Sequence, residues 1–99
     1  MYISIAGPVT LEDVNNFGEF HVVMDGDEAA AVAALDGRAG PSQRDNHLWI
    51  DIALVRELAG DAAGTEWEAR FEAMLAYAAT KGWIDEPNDR VEAHIQPPG

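Results

Sequence analysis

The chain contains no cysteine, which removes disulfides, thiol nucleophiles and cysteine-ligated zinc together and leaves histidines and carboxylates as the candidate metal ligands. Positive charge is scarce. Six Lys and Arg stand against 18 Asp and Glu, a formal net charge of -12, and such a balance repels phosphate backbones and anionic lipid headgroups. Nucleic-acid and membrane binding are therefore not expected. No apolar run approaches the roughly 20 residues that a spanning helix requires, and Met1-Tyr2-Ile3-Ser4-Ile5 lacks the basic opening of a secretory signal. A soluble, cytoplasmic protein is the expectation. There is no glycine-rich phosphate loop, and Ser4 and Ser42 have no flanking elbow glycines for a serine nucleophile. Neither serine lies in the Asp-Ser-Leu context of an acyl carrier. There is no internal repeat or low-complexity segment, and no stretch resembles a known family closely enough to carry a function.

What is present fits one small domain. At 99 residues and 47% apolar content, the chain can bury a single core, expected over residues 1–96 with a flexible tail at 97–99. The acids are scattered, in a pattern that suits solubility or a basic protein partner.

The segmentation reads as alternating strands and helices. Tyr2 to Ala6 alternates as a short strand stopped by Gly7-Pro8, and Thr10-x-x-Asp13 predicts a short helix carrying Leu11, Val14 and Phe17 up to Gly18. Glu19 to Asp25 predicts a second strand. Asp27 caps a helix from Glu28 to Asp36 closed by Gly37; Asp25-Gly26-Asp27-Glu28 otherwise resembles only the opening of a calcium loop and lacks the later ligands. Gly37 to Asn46 has no periodicity and predicts a mobile loop bearing Arg38 and Arg44. His47 to Ile52 predicts a third strand that runs into a helical segment from Ala53 to Ala59. Thr65-x-x-Glu68 reads as a capping box for a long helix with Trp67, Phe71, Met74, Leu75 and Ala78 on one stripe, ended by Lys81-Gly82. Trp67 and Trp83 read as core and C-terminal packing. After the turn Asp85 to Asp89, Val91 to Gln96 predicts the last strand.

The strand runs share a pattern. Because successive strand side chains point to opposite faces, Phe20, Val22, Met24, Leu48, Ile50, Ile52, Val91, Ala93 and Ile95 fall on one side. Glu19, His21, Asp25, His47, Trp49, Asp51, Glu92, His94 and Gln96 fall on the other, and all three histidines of the chain are among them. Helix-length connections suit parallel crossovers with the helices on the apolar side. The expected fold is a single-domain α/β two-layer sandwich, a four-stranded sheet with helices on one face and one open polar face; a partly antiparallel, ferredoxin-like α+β arrangement fits the same elements.

Parallel strands are rarely left open to water, so the sequence predicts a cover for that face, most simply a second copy in a homodimer. A protein partner or small ligand is the other possibility. The candidate chemistry lies in His47, Asp51 and His94, whose imidazoles and carboxylate suit acid–base work or a divalent metal. Asp51 also reads as a helix cap. Glu19, His21, Trp49, Glu92, Arg38 and Arg44 are the candidate ligand or interface residues. The sequence assigns no cofactor and no resident metal. The leading reading is a small acidic binding or accessory protein that uses its open sheet face. A cofactor-independent or metal-assisted enzyme at the same face, and an inhibitor or immunity-type protein directed at a basic partner, are the alternatives.

Overall fold

A computed structural model describes residues 1–98. Strands β1 (Tyr2–Ile5), β2 (Val9–Glu12), β3 (His21–Val23), β4 (Ala39–Pro41), β5 (His47–Asp51), β6 (Ile84–Asp85) and β7 (Arg90–Gln96) alternate with helices α1 (Glu28–Ala34), α2 (Ile52–Ala59) and α3 (Thr65–Thr80). The strands form one mixed sheet in the order β2-β1-β3-β7-β5-β4, with β6 also paired to β7. The expected four-stranded sheet is thus a seven-stranded one. β1, β3 and β7 run parallel to one another, whereas β5 is antiparallel to β7, contrary to the all-crossover reading. The reversal follows from β4, which forms an antiparallel hairpin with β5 and turns the chain before it reaches the sheet centre.

One parity of the strands builds the core. Ile3, Leu11, Val22, Leu48, Ile50, Val91, Ala93 and Ile95 are buried in a single cluster with Ala31 and Leu35 from the α1 region, Ile52, Val55 and Ala59 of α2, and Trp67, Phe71 and Ala78 of α3. All three helices therefore cover the same sheet face, as the alternation predicts. Removing this apolar surface from water, at about 25 cal/mol per Å², is the main force holding the two layers together.

Four local readings are corrected. The helix expected after Thr10 is instead β2, which zips onto β1 with Ile3 opposite Leu11; β-branched Val9 and Thr10 favour the strand, and Asp13, at φ +51, ends it. Val14 and Phe17 still reach the core from the following turn. The predicted mobile loop at 37–46 contains β4 and is fastened at both ends. Asp51 N–H donates to the Arg38 carbonyl at 2.9 Å, Ile95 N–H to the Asn46 carbonyl at 2.8 Å, and the Asn46 amide to Glu28. At the start of α3 the cap position is Gly64, with no side-chain cap bond from Thr65, and Glu68 gives its carboxylate to Arg56 at 2.8 Å instead of folding back. Finally, Asp51 occupies the cap position of α2 but makes no cap bond with its side chain.

The contrast between caps is measurable. Asp27 Oδ1 accepts from the Ala30 amide at 2.9 Å, so Asp27→Ala should cost about 1 kcal/mol. Thr65→Ala should stay within about 0.5 kcal/mol, like a surface change that breaks no bond. Urea midpoints of the two variants decide this, and a larger loss from Thr65 would restore the capping box. At the far end of α3, Gly82 takes φ +78, the left-handed stop that Lys81-Gly82 predicts. Pro97 and Pro98 are exposed without regular structure; Gly99 lies outside the described residues.

Candidate functional site

The polar parity forms the uncovered sheet face, and register settles where its residues lie. His21 pairs with His94 across β3 and β7, and His94 with His47 across β7 and β5. The three histidines stand in one row, extended at its β1 end by Tyr2, whose ring stacks on His21 at 5.1 Å. The His47 and His94 rings are 5.0 Å apart. In the next row, Trp49 faces Glu92 on one side and Gly40 on the other; beyond it, Asp51 faces Arg90.

Two ion clusters brace this face. The Asp51 carboxylate accepts from Arg90 Nε at 2.7 Å and from Arg38 Nε at 3.2 Å, while the Arg38 fork also grips Glu57 at 3.2 and 2.5 Å. These bonds push the Arg38 guanidinium further up and hold the Glu57 carboxyl below its usual range, the Arg38 hydrogen bond being the main cause. The Arg90 guanidinium lies where a side chain on Gly40 would sit, 2.8 Å from that Cβ position. The second cluster is centred on Glu92, whose side chain is 6% exposed. It accepts from Ser42 Oγ and, at 2.8 Å, from Arg44 Nη1.

These contacts redistribute the predicted site residues. Asp51 does not join His47 and His94, because its carboxylate is taken up by two arginines at the opposite end of β5. Arg38 and Arg44, the candidate interface residues of the predicted loop, each pair with carboxylates of the chain itself, Arg38 with Asp51 and Glu57 and Arg44 with Glu92. Arg56 pairs with Glu68 and Glu72, and Arg70 and Lys81 lie over the rings of Phe17 and Tyr77. All six basic residues thus have internal work, whereas only five of the 18 acids face an arginine among the described residues. The net outward field is negative, although Arg70 and Lys81 stay exposed and face rings, not carboxylates.

The sheet has a split beside this face. β7 is flanked along one side by β5, but its other side is shared. β6 pairs with Arg90 and Val91 there, β3 with His94 to Gln96, and between them the Glu92 amide donates to the Trp83 carbonyl at 2.9 Å. Where β3 and β6 part, a cleft of about 90 Å³ opens among Phe17, Phe20, Met74, Tyr77 and Trp83. It meets a second pocket of about 180 Å³ on the polar face, lined by Phe20, Arg44, His47, Trp83, Glu92 and His94. Phe20, Trp83 and Glu92 line both. A scan against protein-family models, a search of curated proteins and a search of solved structures each find no match to this chain.

The geometry alone therefore defines the site. Tyr77 and Trp83, 59% and 36% exposed, are the exposed large hydrophobic residues among the described ones, and both border the split. Trp83 packs edge-on against Tyr77 at 6.3 Å, the C-terminal packing that the sequence suggests, yet keeps an exposed flank, while Trp49 on the polar face is partly buried. The signal for Trp83 lay in the helix stop just before it: an aromatic released by Lys81-Gly82 no longer belongs to the inward stripe of α3. His47 is oriented by its neighbour, with Nδ1 2.8 Å from the Asp45 carbonyl. A carbonyl only accepts, so Nδ1 carries a proton, and in the neutral ring the lone pair is on Nε2. Burial lowers the His21 imidazole below its ordinary range, and nearby Glu19 partly offsets the shift. No three metal-ligating side chains converge among the described residues, and no helix there is long and apolar enough to cross a membrane.

Proposed function

We propose that this chain is a small acidic binding protein whose recognition surface is the open sheet face together with the aromatic split beside it, and that its partner is a basic protein segment carrying apolar side chains. The observation that carries this reading is the placement of both exposed large aromatics, Tyr77 and Trp83, at the split, contiguous with Glu92, His47 and His94. Exposed aromatics with a polar rim are the usual anchors of binding surfaces. The net charge of -12 supports a positively charged partner and speeds its encounter, with Arg44 in the polar-face pocket and Lys81 over Tyr77 as the cations it would have to pass.

The enzymatic alternative has less support. Asp51 is clamped, and Glu92 already accepts from Ser42 and Arg44, so neither carboxylate stands free to pair with an imidazole. A homodimer through the same face is the competing occupant, and it draws its support from Trp49, which offers less surface than Trp83.

NMR titration with two synthetic peptides of equal positive charge, one of arginine and leucine and one of lysine and glycine, tests the proposal. The first should shift the Trp83 indole and the amides of Phe20, His47 and His94, and Trp83→Ser should weaken it by roughly tenfold or more, as for an anchor residue. Equal affinity for both peptides, with shifts spread over all acidic surfaces, would overturn it. Sedimentation showing a dimer that Trp49→Lys dissociates would hand the face to a second copy.

A further inference from the structure

We infer that His47 and His94 form a two-imidazole chelate for a divalent transition metal, a site that stands on its own geometry and needs neither the basic partner nor the aromatic split. The pair is directly opposite in register. The Asn46–Ile95 position beside it carries the inter-strand hydrogen bond at 2.8 Å, which places His47 and His94 at the narrow, non-hydrogen-bonded position of the antiparallel ladder. Side chains approach most closely there, and the rings lie 5.0 Å apart at 47°.

The second observation is the orientation of His47. Metal-ligating histidines almost always donate their other ring N–H to a carboxylate or a backbone carbonyl, which fixes the tautomer and raises the basicity of the ligating nitrogen. Here Nδ1 faces the Asp45 carbonyl at 2.8 Å, so Nε2 is the free donor. His94 is exposed on the strand beside it. Two imidazoles and open water positions suit Cu²⁺, Ni²⁺ or Zn²⁺ and not the hard, oxygen-seeking Ca²⁺ or Mg²⁺, with copper favoured by the general affinity order. The row does not supply a third ligand from β3: the His21 ring is stacked on Tyr2. The remaining coordination is left to water or to a group on a bound partner.

Calorimetric titration of the full chain with Cu²⁺ alone, and with Zn²⁺ alone, tests this, with ring signals followed by NMR in the zinc case. One site per chain is expected, the His47 and His94 rings should move first, and a tenfold excess of Mg²⁺ should leave binding unchanged. His47→Ala and His94→Ala should each weaken binding by roughly tenfold or more, since even supporting residues of metal sites cost that much; His21→Ala should change it less than about twofold. Absence of saturable binding would overturn the inference. So would equal losses from all three histidine variants, or displacement by Mg²⁺, either of which marks diffuse adsorption to the acidic surface. These outcomes read metal alone, so they stand or fall independently of the peptide titration.

Discussion

Phe71→Ala should remove about 3–5 kcal/mol of folding free energy, the range for emptying an aromatic site in a core. Phe71 is fully buried on the inner face of α3, stacked on Trp67 with ring centroids 4.8 Å apart, and the Arg56 guanidinium lies 5.2 Å from its ring. Trp67 is itself pinned by its indole N–H, which donates to the Val14 carbonyl at 2.8 Å, so the surroundings cannot collapse into the void. Against a typical total of about 5–15 kcal/mol, the loss should bring the protein close to its stability threshold. Chemical denaturation should show a sharply lower midpoint with an unchanged m-value. A loss under about 1 kcal/mol would mean that α3 is not packed on the sheet as described.

The second large effect is expected at Asp51. Removing its carboxylate with alanine takes the shared acceptor from Arg38 and Arg90, which fall back on Glu57 and on the Gly37 carbonyl. The three side chains are 25–34% exposed, so water screens part of the interaction, and about 1–3 kcal/mol is expected, not the full penalty of a buried broken pair. Asp51→Ser and Asp51→Asn separate the two roles this residue could have. Both place a side chain able to cap at the start of α2, where Asp51 makes no cap bond of its own, and lose the ion pairs. If the clamp dominates, both should fall near the alanine variant in denaturation; full rescue by serine would show that capping is the main contribution.

Much of this molecule is legible in the sequence, and the boundary has physical causes. Period-2 patterning in His47 to Ile52 and Val91 to Gln96 identified the buried parity, because burial on one side of a pleat leaves an unmistakable trace. The same parity put His21, His47 and His94 on one face, but their order across the sheet depends on β7 lying between β3 and β5, a pairing of segments distant in sequence. β4 itself is only Ala39-Gly40-Pro41, a sequence with none of the branched or aromatic residues that announce a strand. β2 carried strand formers, but Thr10-x-x-Asp13 imitated a helix start. The aromatic split was invisible because it arises between β3 and β6, which are distant in sequence and brought side by side only by β7.

One feature of β4 extends beyond the single molecule. As the last strand on its side of the sheet, it would be the place for a second chain to add on, yet it is three residues long and ends in Pro41, which has no amide hydrogen to offer. Short strands and prolines at an edge are a common defence against such growth. β2, at the opposite margin, has no proline between Val9 and Glu12. The two ends of the strand order therefore differ in what they offer a further strand: β2 presents amides along its whole length, β4 does not. Growth of the sheet from the β4 margin, the first step toward a fibril, is thereby disfavoured.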